Sequence, residues 1–332
     1  MKKLVAVLLG LAIALTVFAG CQKRGGSGRA SGDAVTIGFA QCKADESDWR
    51  MANTRSFMNT FNVSGYRLLI ADSNNDAAKQ LADVQGFINM EVDYIVIAAV
   101  NMDGWDTVLR NAKNAGIPVI LVDRNINAAD DLWTTYIGPD FKLEGEKATG
   151  WMEKNFGSNP VNIFNLQGQL GSGAQVGRSA ALDDAVAKNS NWTLRARQTG
   201  NWGTDTAKQI MTSWIQQYRS EIGSNPTSFV AYAENDNMAD GAIQALQEAG
   251  LPVGRDNGVA VISFDANKPY LQMTLAGLIN CNVECNPLHG PAVKSAIERL
   301  EKKEQVPKWV IVEEEAFFWD SITQTVIDAR QY

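Results

Sequence analysis

Short apolar runs that alternate with helical patterns constrain the fold of this 332-residue chain more than any other feature. The runs predict strands over residues 35–40, 66–71, 94–100, 117–122, 161–166, 192–199, 228–233, 259–265 and 309–313. Apolar residues at helical spacing predict helices over 49–63, 76–90, 105–115, 143–155, 175–188, 205–218, 238–249 and 290–300. Strands that alternate with helices predict an α/β fold with parallel sheets and right-handed crossovers.

The alternation restarts after residues 136–139, which predicts a crossing there between two similar domains. The length agrees, because a chain of 332 residues exceeds a typical single core. We therefore expect two doubly wound parallel-sheet domains joined by a hinge of about three crossings. The first lobe is predicted over 34–137 and 283–308, and the second over 138–282 and 309–332.

The N-terminus has the pattern of an export signal. Two lysines precede an apolar run over residues 4–18, which predicts a signal peptide over 1–20. Ala19-Gly20-Cys21 resembles the cleavage box of bacterial lipoproteins, in which the cysteine is acylated, although Phe18 stands where leucine is usual. We expect lipidation of Cys21, with cleavage by an ordinary signal peptidase as the alternative. Residues 21–33 are rich in glycine and serine and are expected to form a flexible tether.

The charge balance narrows the class of partner. Loss of residues 1–20 removes two of the 30 basic residues and none of the 37 acidic ones, so the exported chain is acidic. An acidic protein is poorly suited to nucleic acid or anionic lipid. We expect no nucleic-acid partner, and membrane contact only through the lipid anchor.

Three cysteines remain beyond Cys21, and an exported protein permits a disulfide. Cys281 with Cys285 is the first expectation because the two are close in sequence, and Cys42 with Cys285 is the alternative. With His289 as the single histidine and no paired Cys-x-x-Cys, no metal site is expected. No cofactor is predicted.

Charged and aromatic residues follow the first-half strands, where open α/β sheets bind ligands. Asp123 and Arg124 come directly after the apolar run 117–122 and offer an acceptor and a rigid fork of donors. A structural ion pair is the alternative interpretation. Gln41 ends the first strand and is a weaker candidate. Trp49 and Arg50 open the first helix, and the indole ring is a candidate for one face of a ligand.

The second half offers a similar set. Arg178 follows a glycine-rich stretch over 168–173 that lacks the spacing of a phosphate-binding loop. Trp202 lies between glycines on a predicted loop, which favours a ligand-facing position over a core position. Asn235 follows another strand and offers a side-chain amide that both donates and accepts hydrogen bonds. The next residue, Asp236, is expected to cap the helix that follows.

Two further carboxylates complete the candidate ligand-binding set. Asp265 ends the strand over 259–265, and Glu284 lies on a connecting segment. Two of the three carboxylates Asp123, Asp265 and Glu284 could form the catalytic pair of a glycosidase, which is the alternative function. We expect no enzyme and no catalytic residue, because Arg124 and Arg178 should keep nearby carboxylates ionised and leave no general acid. Charged planar groups and aromatic rings instead suit a small polyhydroxylated ligand.

Six segments in order resemble the periplasmic sugar-binding proteins of ABC transporters, of the ribose/galactose type. They are Ile37–Gln41 with Glu46–Arg50, Ile117–Arg124, Leu166–Gly168 with Arg178, Glu234–Met238 with Gly241–Ile243, Phe264–Asp265, and Val283–Glu284 with Gly290–Ala292. The resemblance spans about residues 34–330. The sequence departs from the family pattern at Cys42, Cys281 and Cys285 and near residues 43–45. These departures affect the prediction of which sugar binds, but not the family resemblance.

The resemblance implies a monomeric protein that captures a monosaccharide, a galactofuranose-like hexose or a pentose, by hinge closure. Delivery to an inner-membrane ABC permease from the periplasm or cell surface follows from the same resemblance. Two alternatives share the fold. One is a sensor subunit that presents sugar to a chemoreceptor or histidine kinase. The other is a cytoplasmic repressor core, which the export signal and the lack of an N-terminal helix-turn-helix disfavour.

Overall fold

Two six-stranded sheets organise the part of the chain that the computed structural model describes, residues 34–332. The first contains β1 (Val35–Gln41), β2 (Tyr66–Asp72), β3 (Tyr94–Ile97), β4 (Val119–Val122), β5 (Thr135–Gly138) and β11 (Trp309–Ile311). Its order is β11-β5-β4-β3-β1-β2, and all its strand pairs are parallel. The central strands β3 and β4 are buried throughout, as a sheet covered by helices on both faces requires.

The second sheet contains β6 (Val161–Gln167), β7 (Trp192–Thr199), β8 (Phe229–Ala233), β9 (Ala260–Asp265), β10 (Cys281–Glu284) and β12 (Ala316–Phe318). Its order is β12-β10-β9-β8-β6-β7. Only the short edge strand β12 is antiparallel. The two doubly wound sheets confirm the predicted fold class.

Ten α-helices connect the strands in residues 34–332. They are α1 (Asp48–Phe61), α2 (Ala77–Asn89), α3 (Asp106–Asn114), α4 (Phe141–Phe156), α5 (Gly173–Lys188), α6 (Thr204–Ser224), α7 (Asp236–Glu248), α8 (Lys268–Leu275), α9 (Gly290–Glu301) and α10 (Gln324–Ala329). No helix in the described part of the chain is both long and apolar enough to cross a bilayer.

Side-chain caps start five helices just past the ends of strands. Ser47, Asp76, Asp140, Ser172 and Asn235 accept hydrogen bonds from backbone N–H groups in the first turns of α1, α2, α4, α5 and α7. A cap satisfies donors that the helix itself leaves free. The helix N-termini and the carboxyl ends of the strands therefore lie on the same side of each sheet.

The three chain crossings differ in part from the prediction. Residues 136–138 belong to β5 in the first sheet, so the first crossing starts at Pro139. Residues 283–284 belong to β10 in the second sheet, and Trp309–Ile311 pair with β5 in the first. The predicted lobe boundaries at 283 and 309 are wrong, because both segments join the sheet opposite to the one assigned.

Four short elements near the end of the chain were not predicted. They are α8, β10, β12 and α10. The sequence of β10 is Cys-Asn-Val-Glu, with valine as its one large apolar residue. It therefore lacks the apolar run that predicts a strand. Its polar side chains are satisfied inside the protein: Asn282 Nδ2 donates to Asp236 Oδ1 at 2.8 Å. Local patterns do not reveal such buried polar pairs.

The structure leaves all three cysteines of the described region free and buried. The expected Cys281–Cys285 bridge is wrong, because Cys281 begins β10 and Cys285 follows its end. Four extended residues separate their Cα atoms by roughly 13 Å, whereas a disulfide needs about 7 Å or less. Cys42 is also unbridged. Cys21, with the predicted signal and tether, lies outside the described residues.

Candidate ligand-binding cleft

A cleft between the carboxyl ends of the two sheets brings together eight of the ten predicted ligand-binding residues. Its wall contains Trp49, Arg50, Asp123, Arg124, Arg178, Trp202, Asn235 and Asp265, together with Glu46, Ser47, Phe141, Ala174 and Cys285. The remaining cavity measures only about 20 Å³, room for about one water molecule. The lobes are closed, and a larger ligand requires them to part.

Four interlocking charges form the wall of the first lobe. Arg50 Nη2 donates to Asp123 Oδ2, and Arg124 Nη2 donates to Glu46 Oε2 at 2.6 Å. Arg50 Nε and Arg124 Nε lie 3.6 Å from carboxylate oxygens of Glu46 and Asp123. Two acids and two bases leave this wall neutral overall, which makes the burial of four charged side chains tolerable.

The backbone at Asp123 is held in a tight turn. Its φ is +61°, and the Arg124 N–H donates to Val122 O at 2.6 Å, which closes a γ-turn. The Tyr136 hydroxyl contacts Asp123 O at 2.6 Å and braces the turn. A non-glycine residue in this conformation costs free energy and is found where surrounding structure enforces it. The turn aims two consecutive side chains at the cleft.

Burial and charge oppose each other at Asp123. Burial disfavours its ionised form, but Arg50 and then Arg124 outweigh that effect and lower the pKa of Asp123. The pKa of Arg50 and that of Arg124 are raised, because the neighbouring acidic groups outweigh burial. Asp123, Arg50 and Arg124 therefore keep their charges at neutral pH.

In the second lobe, Arg178 is mostly committed to the protein. Its Nε donates to Glu144 Oε2 at 2.6 Å, and its Nη1 donates to Glu234 O. Asp265 Oδ1 lies 3.6 Å from Arg178 Nη2, beyond a direct hydrogen bond. Arg178 lines the cleft, but its strongest contacts hold α4, α5 and the end of β8 together.

Asp265 departs from the expectation that arginines keep the cleft carboxylates ionised. Burial raises its pKa well above the usual range, and Arg178 offsets this only in part. Asp236, Glu144 and Asp123 raise it further. The argument against an enzyme from ionised carboxylates is wrong for Asp265, because the guanidinium nearest to it is bound to Glu144.

Two tryptophans face the cleft from opposite lobes. Trp49 Nε1 donates to Cys285 O at 2.6 Å, and Arg50 Cζ stacks 4.6 Å from the Trp49 ring centre. Arg124 Cζ lies 5.6 Å from the Trp202 ring centre across the cleft. Arginine stacked on indole is favourable and keeps both groups oriented. Trp49 and Trp202 both line the cleft, and their contact with the two faces of a ligand stays a prediction.

Trp202 is seated by a glycine and an asparagine. A Cβ at Gly168 would lie 1.9 Å from Trp202 Cη2, so only glycine permits this ring position. Asn235 Nδ2 donates to Trp202 O at 3.2 Å, and Asn235 Oδ1 caps α7 through the Met238 N–H. Asn235, and not the expected Asp236, is the cap of α7. Asp236 Oδ1 instead accepts from the Ser263 hydroxyl.

Several buried polar atoms of the cleft wall have no hydrogen-bond partner within residues 34–332. They are Glu46 Oε1, Arg50 Nε, Arg124 Nε and Trp202 Nε1. A buried polar group without a partner costs free energy, about 1–3 kcal/mol each. One acceptor and three donors on facing walls are what a ring of hydroxyl groups can satisfy, since each hydroxyl donates and accepts.

Gln41 and Glu284 do not line the cleft. Gln41 Nε2 donates to Thr54 Oγ1 at 3.2 Å, and this contact fixes α1 to the end of β1. Glu284 Oε1 accepts from Arg330 Nη1 and from the Tyr332 hydroxyl at 2.6 Å, so it holds the C-terminus. Gln41 ends β1 as predicted, whereas Glu284 ends β10 and not a connecting segment as expected. Neighbouring polar groups occupy both side chains.

The sequence reasoning missed five wall residues. They are Glu46, Ser47, Phe141, Ala174 and Cys285. Glu46 had a signal, because it lies in the segment Glu46–Arg50 that carried the family resemblance. Phe141 and Ala174 are unremarkable apolar residues whose exposure to the cleft depends on how the lobes meet.

A buried carboxyl pair lies behind the cleft, at the crossings. Atoms of Glu144, Cys285 and Glu314 lie within 4.8 Å of one another, a set that also suits a metal ion. Arg178 already binds Glu144, however, and the Asn286 N–H donates to Glu314 Oε1 at 2.8 Å. Burial, and then the Glu144 carboxylate, raise the pKa of Glu314 far above its usual range. Glu314 therefore favours its protonated form beside the Glu144 carboxylate.

Comparison with known proteins agrees with this geometry. The family model for the periplasmic binding protein domain matches residues 37–304. The galactofuranose-binding protein of Escherichia coli K12 is 34% identical over 276 residues, which are 82% of this chain and 84% of that protein.

Two solved structures have the same fold. A Mycobacterium smegmatis protein in complex with β-D-fucofuranose is 36% identical with a TM-score of 0.79, over 86% of this chain and 92% of that one. The binding protein of the arabinose ABC transporter from Shewanella sp. ANA-3, bound to α- and β-L-arabinofuranose, is 31% identical with a TM-score of 0.81. The match covers 89% of this chain and 95% of that one.

These matches decide the class of protein. Members of the family bind substrates and are not enzymes, and they act in the periplasm. The predicted absence of enzymatic activity is confirmed on this ground. The chain belongs to the periplasmic binding protein family, as a sugar-binding component of the ABC transporter type.

Proposed function

We propose that this protein is an extracytoplasmic lipoprotein that captures a monosaccharide between its lobes and delivers it to an ABC transporter permease. The observation that carries the proposal is the set of three donors and one acceptor without hydrogen-bond partners on the walls of a cleft that two tryptophans line. A bound sugar satisfies these groups and ties the lobes together. Hinge motion about the three crossings then couples binding to closure.

The ligand we propose is a furanose, either a galactofuranose-like hexose or a pentose. The galactofuranose-binding relative and the structures with fucofuranose and arabinofuranose support this choice. The eight cleft residues from the sequence, together with Glu46, are the proposed ligand-binding set. A monomer is sufficient, because both walls of the cleft come from one chain.

Isothermal titration calorimetry tests the ligand class. The panel comprises common hexoses and pentoses, with methyl β-D-galactofuranoside and methyl β-D-galactopyranoside as a matched pair locked in ring size. We expect one sugar to bind per chain and the furanoside to bind more tightly than the pyranoside. Absence of binding by every monosaccharide contradicts the proposal, and tighter binding of the pyranoside contradicts the furanose assignment.

Metabolic labelling with palmitate tests the lipid anchor at Cys21. We expect label in the wild type and in Cys281→Ala, and none in Cys21→Ala. The Cys281 variant is the matched control because that thiol is buried in β10. Equal labelling of the Cys21 variant contradicts lipidation at this residue.

A further inference from the structure

Asp48, the first residue of α1, links the two lobes at one rim of the cleft. Its Oδ2 accepts hydrogen bonds from the Tyr270 hydroxyl at 2.8 Å and from Asn237 Nδ2 at 3.1 Å. Its backbone N–H donates to Asn237 Oδ1 at 3.2 Å. Asp48 belongs to the first lobe, whereas Asn237 and Tyr270 belong to α7 and α8 of the second.

Three helix N-termini meet at this carboxylate. Asp48, Asn237 and Tyr270 lie in the first turns of α1, α7 and α8 respectively. The first turn of a helix carries partial positive charge, so three such turns repel one another without an anion. The Asp48 carboxylate, in addition to Asp236 in the first turn of α7, offsets that repulsion, and its hydrogen bonds are strengthened by its charge.

These three residues are outside the cleft wall. Within residues 34–332, the cleft wall includes Ser47 and Trp49, the sequence neighbours of Asp48. It does not include Asp48, Asn237 or Tyr270. At the other rim, the hydrogen bond between the lobes that residues 34–332 show joins backbone to backbone: the Met102 N–H donates to Gly171 O at 3.1 Å. Side-chain bonding between the lobes away from the ligand is thus concentrated at Asp48.

We propose that Asp48 is a positioning residue, a latch that stabilises the closed form and sets the lifetime of the bound state without contacting the sugar. The predicted effect of Asp48 on sugar affinity rests on the proposed function, whereas its effect on lobe closure does not. Tyr270 suits the role of donor, because burial and then the hydrogen bond to Asp48 raise the pKa of its hydroxyl. A latch of this kind changes affinity for all ligands by the same factor.

The ligand-free test measures the closed fraction by single-molecule fluorescence transfer, with dyes at Asn114→Cys and Gln247→Cys on exposed positions of opposite lobes. The buried native thiols of Cys42, Cys281 and Cys285 resist labelling. We expect Asp48→Asn to lower the closed fraction about tenfold, a change equivalent to one charge-assisted hydrogen bond. Tyr270→Phe should lower it by a smaller factor.

The matched control is Asp205→Asn, which removes an exposed carboxylate from the first turn of α6. It should leave the closed fraction unchanged. With bound sugars, Asp48→Asn should raise Kd by the same factor as it lowers the closed fraction, through faster dissociation. The ratio of Kd between two sugars should stay at the wild-type value.

An unchanged closed fraction in both Asp48→Asn and Tyr270→Phe overturns the latch. So does an altered ratio of affinities, which indicates contact with the ligand. If the wild type binds no sugar, the proposed function fails, and the ligand-free measurement still decides whether Asp48 holds the lobes together.

Discussion

At the scale of single residues, the charged side chains of the cleft form ion pairs with each other, but some of their polar atoms have no hydrogen-bond partner among residues 34–332. Glu46 uses Oε2 for Arg124 and leaves Oε1 without a hydrogen-bond partner in the described chain. The protein thereby retains a buried acceptor at a cost in stability. A ligand hydroxyl that donates to this oxygen recovers the cost on binding, which gives the site both affinity and selectivity.

Glu46→Gln should weaken sugar binding about tenfold, because an ionised acceptor becomes a neutral amide of the same shape. Calorimetry measures the change in Kd. Thermal unfolding should show a lower unfolding temperature, because the variant leaves two buried guanidiniums facing one carboxylate. Asp45→Asn is the control, since Asp45 is adjacent and exposed. Equal affinities for wild type and Glu46→Gln would remove Glu46 from the ligand-binding set.

Gly168→Ala should weaken binding about tenfold or more, because its Cβ displaces the Trp202 ring from the cleft. Overpacking of this kind costs about 1–3 kcal/mol. Gly203→Ala lies on the same loop as Trp202 and is the control, since its Cβ meets no atom closer than 3.6 Å. The measurement is again calorimetry. Wild-type affinity in Gly168→Ala means that the ring position does not matter for the ligand.

Residue-level prediction from sequence succeeded where a side chain follows a buried strand and failed where a partner comes from far away. Asp123 and Arg124 could be predicted, because the apolar run before them ends at the sheet edge. Glu284 could not be excluded, because its partners Arg330 and Tyr332 are 46 and 48 residues distant. The pKa of Asp265 likewise depends on Glu144, which no local pattern connects to it.

At the scale of elements, the crossings carry both the hinge and a protonated carboxyl. Glu314 lies between β11 of the first sheet and β12 of the second, and it accepts from the backbone of the neighbouring crossing at Asn286. Its raised pKa means that the folded protein holds a proton that the unfolded chain releases above about pH 4.5. This contribution to stability is complete below that pH and is lost as pH rises.

Glu314→Gln should therefore raise the unfolding temperature at pH 8, by about 2–5 °C, and by less at pH 5. The amide keeps a donor for Glu144 and an acceptor for the Asn286 N–H, and it does not titrate. Other buried acids titrate in both proteins, so the difference between variant and wild type isolates Glu314. Scanning calorimetry at several pH values is the measurement.

Glu313→Gln is the control for the hinge carboxyl, because Glu313 is the exposed neighbour in the same segment. Its effect should not grow with pH. A Glu314→Gln variant whose stability follows the wild type at every pH contradicts a raised pKa of Glu314.

The order of strands and helices up to residue 265 followed from periodicity, except for β5, whose residues were predicted to form a crossing. Beyond residue 265, periodicity predicted α9 and β11 but not α8, β10, β12 and α10. β10 is fully buried yet half polar, since Asn282 bonds Asp236 within the protein. β11 has exposed residues at both ends and joins the first sheet only through β5. Membership of a sheet is a tertiary property there, which explains the misassigned boundaries at 283 and 309.

At the scale of the molecule, residues 34–332 form one compact unit although they contain two sheets. The cleft contributes to this unity: Trp49 of the first lobe packs in the same apolar cluster as Phe164 and Trp202 of the second. A ligand enclosed between the lobes should reinforce both of them. Binding and unfolding are then linked, because the unfolded chain has no cleft.

A bound monosaccharide should raise the unfolding temperature of the whole unit in a single transition. At a sugar concentration one hundred times Kd, linkage adds about 2.7 kcal/mol to the free energy of unfolding, which corresponds to a rise of several degrees. Polyols at high concentration also stabilise proteins by exclusion from the surface.

The control is therefore an equal concentration of a sugar that calorimetry finds unbound. If both sugars shift the transition equally, or if two transitions separate as only one lobe is stabilised, the ligand does not bridge the lobes. A shift confined to the bound sugar, with both lobes melting together, is the result that capture between the two sheets requires.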